Sequence, residues 1–141
     1  MRKKSIYIKG YSFKKMGFGG WAALLVDEKS GRKKLIKGYS SRTTGDHMEL
    51  TAAIRALNAI APSNIVKVIS DNRYLVDKIN KWIGKEIDGV ESHFDGDLWR
   101  ELSLATKHCR VKFEWADRLP LIEYVTKIAK EEAKRAKEYT E

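Results

Sequence analysis

Cysteine is almost absent: Cys109 stands alone in 141 residues. A lone thiol excludes an internal disulfide and fits a reducing compartment. Cys109 itself reads as a small buried hydrophobe on a strand rather than a reactive thiol. Proline is equally scarce, with only Pro62 and Pro120, which argues against a disordered tail. No linker, repeat or low-complexity segment interrupts the chain. No apolar run approaches the roughly 18 residues that a membrane span requires. The opening Arg2-Lys3-Lys4 has the charge of a signal n-region, but the segment after it is too short and too polar for an h-region. Export is therefore not expected, and a cytoplasmic protein without membrane contact is.

What is present describes one globular domain over residues 1–141. Hydrophobic residues make up 43% and charged residues 33%, enough for a single core and too apolar for disorder. The formal net charge is +9 and the pI near 9.6. Such a balance favours an anionic partner, most often nucleic acid. Simple solubility charge is the plain alternative.

Periodicity predicts strands at 5–12, 21–26 and 34–40, a meander in which Gly17, Gly19 and Gly20 mark a turn or close backbone approach and a polar turn lies around Ser30-Gly31. Leu50, Ala53, Ile54, Leu57 and Ile60 then recur at helical spacing and predict a helix over 47–60. Asp46 and Glu49 before and within it have capping-box spacing. A β-branched run at 65–69 predicts a buried strand. A helix over 72–83 follows, with Tyr74, Leu75, Ile79 and Trp82 as candidate core. Helix 97–107, strand 109–115 and a last helix over 121–137 complete the order. The last helix should bury Ile122, Val125, Ala129, Ala133 and Ala136. Its basic residues, with Glu131 and Glu132 among them, read as a solvated surface. The expected architecture is α/β: a mixed five-stranded sheet, antiparallel meander plus parallel strands, flanked by helices. A ligand site is expected at the carboxyl ends of its central strands.

Lys9 is anomalous in this frame. It lies in Ile6-Tyr7-Ile8-Lys9-Gly10, a segment that reads as a buried first strand, where a charge is tolerated only when it has a use. The local motifs give it a context. Gly19-Gly20-Trp21-Ala22-Ala23, His47-Met48-Glu49-Leu50-Thr51-Ala52-Ala53, Ile69-Ser70-Asp71-Asn72-Arg73-Tyr74, Asp97-Leu98-Trp99 and Phe113-Glu114-Trp115 resemble, in order, the signatures of type 1 ribonucleases H. The resemblance runs from about residue 4 to 136.

That resemblance implies the ribonuclease H fold, and hydrolysis of the RNA strand of an RNA–DNA hybrid by two divalent metals held by four carboxylates. Glu49 and Asp71 match two of those positions. Lys9 and Thr126 stand at the other two, and the loop 116–125 lacks the histidine the family often has there. A lysine puts positive charge where a dication would sit, so Lys9 is expected to replace the metal as counter-ion to Glu49 and Asp71. The bland readings are that Glu49 is the capping-box partner of Asp46 and that Asp71 is an N-cap. No cofactor is expected; Mg²⁺ or Mn²⁺ enters only if hydrolysis survives.

For nucleic-acid contact, the resemblance points to Gly19, Thr44, Arg73, Trp82 and Lys85. Gly45, Asp46 and Arg73 replace amide side chains that read the hybrid. Lys78, Lys81 and Lys85 lie where the family has a basic protrusion, here followed by Glu86, Asp88 and Glu91. Trp82 reads equally well as core, and Gly19 as a hairpin requirement. The leading expectation is a catalytically inactive or impaired domain that binds nucleic acid through its basic surface. An active ribonuclease with a rearranged site, drawing on Asp46 or Asp117, is the alternative. A structural module with a protein partner in a nucleoprotein assembly is the third.

Overall fold

A computed structural model describes residues 2–62, 64–82 and 96–140. The chain runs β1 (Lys3–Ser12), β2 (Gly17–Asp27), β3 (Lys33–Thr43), α1 (Gly45–Asn58), β4 (Ile65–Ser70), α2 (Arg73–Trp82), α3 (Gly96–Ala105), one 3₁₀ turn (Thr106–His108), β5 (Arg110–Trp115) and α4 (Pro120–Thr140). The five strands lie in the order β3-β2-β1-β4-β5. β1 pairs antiparallel with β2, and β2 with β3, while β1, β4 and β5 run parallel. This is the mixed sheet that the sequence implies.

Strand alternation divides the core into two. Ile6, Ile8, Ala23 and Leu25 point to one face, where they meet Leu50, Ala53, Ile54 and Leu57 of α1, Leu75 and Ile79 of α2 and Trp99 of α3. Ala22 and Leu24 point to the other, against Val125 and Ala129 of α4. Because both faces are covered, β2 reads as a continuous apolar run rather than an alternating one. Each fully buried Ile or Leu contributes about 1.5–3 kcal/mol relative to exposure. On α4, Ile122, Val125, Ala129, Ala133 and Ala136 are all buried, as their spacing predicts.

Two glycines set how closely the helices approach. A Cβ on Gly10 would lie 2.2 Å from Glu49 N and 2.4 Å from Gly45 O, so only glycine lets the first turns of α1 rest on β1. A Cβ on Gly20 would lie 2.4 Å from Ala129 O and 2.6 Å from Ala133 N, which fixes α4 directly over β2 in the same way.

Several expectations need correction. Gly17, Gly19 and Gly20 lie in β2 rather than in a turn, and the close-approach reading holds for Gly19 and Gly20, where a Cβ would meet Tyr11 O at 2.7 Å and Ala129 O at 2.4 Å. Thr44, not Asp46, caps α1: its Oγ1 accepts from His47 N at 3.0 Å, and Asp46 lies within the first turn. Glu49 is therefore no capping-box partner. Tyr74 is 68% exposed and does not join the core. Glu132, expected on a solvated surface, is buried, with its Oε2 held by Lys37 at 3.7 Å and Arg135 at 3.4 Å. Cys109 is half-buried just ahead of β5, and its Sγ–H reaches Ala61 O at 3.7 Å. Among the described residues, no helix is long and apolar enough to cross a membrane.

Candidate active site

The register of the parallel pair builds the site. Tyr7 of β1 lies beside Ile69 of β4. Lys9 and Asp71 each stand two residues further on, so they lie side by side just past the end of the β1–β4 ladder, Lys9 still within β1 and Asp71 directly after β4. Lys9 Nζ donates to both oxygens of Asp71, at 2.9 Å and 3.2 Å. Both side chains are about three-quarters buried.

Glu49 approaches the same strand ends from α1. It is 1% exposed. Its Oε1 accepts from Gly10 N at 2.5 Å, and its Oε2 accepts from the Ser70 hydroxyl. Burial raises the Glu49 pKa to about 7. The Ser70 hydrogen bond, the Lys9 charge and the Gly10 N–H all act to lower it, while Asp71 adds to the rise. The expected pairing of Lys9 with both carboxylates is thus corrected. Lys9 bonds to Asp71 and reaches Glu49 only through its field, because alternation turns Gly10 and Ser70 toward α1 and Lys9 the other way.

Neighbouring residues lock this arrangement. Asn72, not Asp71, caps α2, its Oδ1 accepting from Leu75 N at 3.1 Å. Asn72 Nδ2 donates to Asp46 Oδ1 at 2.7 Å, and Asn72 N donates to Ser70 Oγ at 3.0 Å. Trp115 Nε1 donates to Asp71 O at 3.2 Å. The Arg73 guanidinium lies over the Trp115 ring at 5.3 Å.

The remaining predicted residues scatter. Thr126 is half-buried on α4 and back-bonds Ile122 O at 2.7 Å. Thr44 is committed to its cap. Gly19 is buried, and a Cβ there would meet Thr43 Cγ2 at 2.4 Å, so packing accounts for it. Trp82 packs partly buried against the core and lines a shallow hollow of about 380 Å³ with Tyr74, Asp77, Lys78 and Lys81. Asp117 is exposed. Lys85, Glu86, Asp88 and Glu91 lie outside the described residues. Sequence reasoning gave no role to Ser70, the Gly10 N–H or Trp115. A glycine inside a strand was the available signal of close approach, and Ser70 follows from alternation beside Asp71.

The donor set does not fit a pair of dications. Magnesium takes oxygen ligands in near-octahedral geometry. Here both Asp71 oxygens face an ammonium and both Glu49 oxygens accept hydrogen bonds. Among the described residues, no three His, Cys, Asp or Glu side chains are grouped to hold a metal ion.

Comparison with known proteins gives the lineage. The RNase H family model matches residues 1–117. A ribonuclease H of Caldicellulosiruptor saccharolyticus is 39% identical over 121 residues, covering 81% of this chain and 82% of that protein. The N-terminal RNase H domain of a Mycobacterium tuberculosis protein superposes with a TM-score of 0.80 at 19% identity, with full coverage of both chains. LC11-RNase H1, solved with an RNA/DNA hybrid, superposes with a TM-score of 0.76 at 17% identity, covering 94% of this chain and 98% of that one. The matched model, the close relative and the shared fold agree, and this chain belongs to the ribonuclease H family, in its type 1 branch.

Proposed function

We propose that this domain binds nucleic acid through its basic surface and that two-metal hydrolysis is lost or impaired in it. The observation that carries this reading is Lys9 Nζ seated on both oxygens of Asp71. Two unit charges 4 Å apart interact by about 4 kcal/mol at an effective dielectric of 20, and a dication would roughly double the repulsion. An ammonium held in place by Asp71 therefore opposes any cation approaching Glu49 and Asp71. The relatives are ribonucleases H, and LC11-RNase H1 was solved on an RNA/DNA hybrid, which supports hybrid, RNA or DNA as the ligand class. The net charge of +9 supports the same class.

A second reading, cleavage of the RNA strand with a rearranged metal site, draws support from the 39% identity to a ribonuclease H. It requires Lys9 to leave Asp71 and Mg²⁺ or Mn²⁺ to find ligands beyond Glu49 and Asp71. Asp46 is hydrogen-bonded to Asn72 and Asp117 is exposed, so neither supports it.

Titration of labelled hybrid, duplex RNA and DNA over a range of salt tests the binding reading. Affinity should fall with salt at a slope of about 0.7–0.9 per phosphate contact. Undetectable binding of all three at low salt would refute it.

A further inference from the structure

The end of the sheet away from Lys9 holds a second concentration of positive charge. α1 stops at Asn58, while the sheet continues past it. Arg2 and Lys4 alternate onto the same face as Ile6 and Ile8. Lys34 joins them, because it lies cross-strand from Leu25, whose side chain packs on that face. This end of the sheet borders an open trough of about 640 Å³, with Leu25 and Asp27 among its lining and Arg2, Lys4, Arg32 and Lys34 bringing positive charge, beside Ala59 after α1. An adjoining hollow of about 840 Å³ shares Arg2, Asp27 and Ser30 with it, so the two form one track.

Among the described residues, seven basic side chains line this track against two acidic ones. That local excess of five is more than half of the protein's net charge of +9. Both carboxylates are already engaged. Asp27 Oδ1 accepts from Lys29 N and Ser30 N, each at 3.0 Å, and Arg2 lies 3.5 Å from its Oδ2. Glu28 accepts from Ser5 Oγ at 2.7 Å. Among the described residues, Lys4, Arg32, Lys33 and Lys34 form no ion pair. Lys4 and Arg2 act on Asp27 through their charge, but one carboxylate does not balance the crowd, and the excess of like charge focuses an attractive field on an anion.

We propose that this trough is a second nucleic-acid contact, gripping the phosphodiester backbone at the end of the sheet remote from Lys9. Same-face residues two apart on a strand, such as Arg2 and Lys4, are spaced by about 7 Å. An open row of cations on flexible stems suits successive phosphates better than one enclosed anion. Among the described residues no aromatic ring lines the track, so the contact is to backbone and independent of sequence. Lys4 and Lys9 lie five residues apart on β1, about 17 Å, which lets two separate segments of nucleic acid be held at once. The proposal rests on the domain being a nucleic-acid binder and holds whether or not it cleaves.

The test uses the full chain and a triple variant, Lys4→Gln with Arg32→Gln and Lys34→Gln. All three side chains are at the surface or half-buried, and a thermal melt checks that the variant folds. Binding of a labelled single strand is measured over a salt series. Removing three phosphate contacts should make the slope of log affinity against log salt shallower by about 2 and weaken binding about tenfold at moderate salt. Energy transfer between donor-labelled and acceptor-labelled strands should be seen with the natural chain and lost in the variant. Unchanged slope and retained transfer would overturn the second contact while leaving the binding reading intact. Displacement by polyglutamate as effective as by nucleic acid would overturn it in favour of an acidic protein. Failure of the natural chain to bind any strand would overturn both.

Discussion

Lys9 Nζ lies 2.9 Å and 3.2 Å from the two oxygens of Asp71, so a single ammonium engages both oxygens of this carboxylate. The pair follows from strand register, since Tyr7 and Ile69 are neighbours two residues earlier. Lys9→Met removes the ammonium while keeping the apolar stem. The pair is partly exposed, so its loss should cost about 1 kcal/mol in urea denaturation. The larger effect should be on Glu49. Losing the Lys9 field while keeping Asp71 should move its pKa above 7, as read by NMR of the side-chain carboxyl. An unmoved Glu49 titration would mean that Lys9 exerts no field there.

Stability should depend on pH through Glu49. Its folded pKa of about 7 lies above the ordinary 4.5, so the native state holds a proton that the unfolded state releases between those values. Stability is then fullest below pH 4.5 on this account and falls as pH rises to about 7, by on the order of 3 kcal/mol. Glu49→Gln mimics the protonated form, still accepting from Gly10 N. It should flatten the pH profile of urea midpoints between 5 and 8 and be more stable than the natural chain at pH 8. A parallel profile in the variant would refute this assignment.

Gly10→Ala should be severely destabilising, by about 3 kcal/mol or more, because its Cβ would overlap the backbone of α1. Gly31→Ala is the control: it has φ of +75° and nothing within 4 Å of a Cβ. It should cost only the left-handed backbone preference, about 1 kcal/mol. Equal losses at the two positions in thermal or urea unfolding would argue against the close seating of α1 on β1.

Arg73→Ala should weaken hybrid binding about fivefold with little change in stability, since Arg73 is exposed and lies over Trp115, where a cation–π contact contributes about 0.5–1 kcal/mol. Fluorescence anisotropy reads the affinity and Trp115 emission reads the loss of the stack. Unaltered affinity would remove Arg73 from the binding surface.

Much of this molecule was legible before its structure. The strands and helices follow from periodicity, because both faces of the sheet are covered and apolar runs mark the covered positions. Glu49 and Asp71 are marked by the resemblance; the parallel register of β1 and β4 brings Lys9 to Asp71, while α1, seated on Gly10, brings Glu49 to the same place. What the sequence hid was the allocation of partners. Alternation separates Lys9 from Ser70 and Gly10, so two carboxylates in one cluster have different company, and no linear motif records that. Thr44 displaced Asp46 as the cap because α1 begins two residues earlier than its apolar period suggests. Glu132 looked solvated because Gly20, far away in sequence, admits α4 close enough to β2 to bury its stem.

The most direct measurement is cleavage of a labelled RNA–DNA hybrid with Mg²⁺ and with Mn²⁺, on the natural chain, on Glu49→Gln and on the double variant Lys9→Asp with Thr126→Asp. Expected are no cleavage above background from the natural chain and measurable cleavage once both carboxylates are restored. Turnover by the natural chain that disappears in Glu49→Gln would contradict the loss of two-metal chemistry.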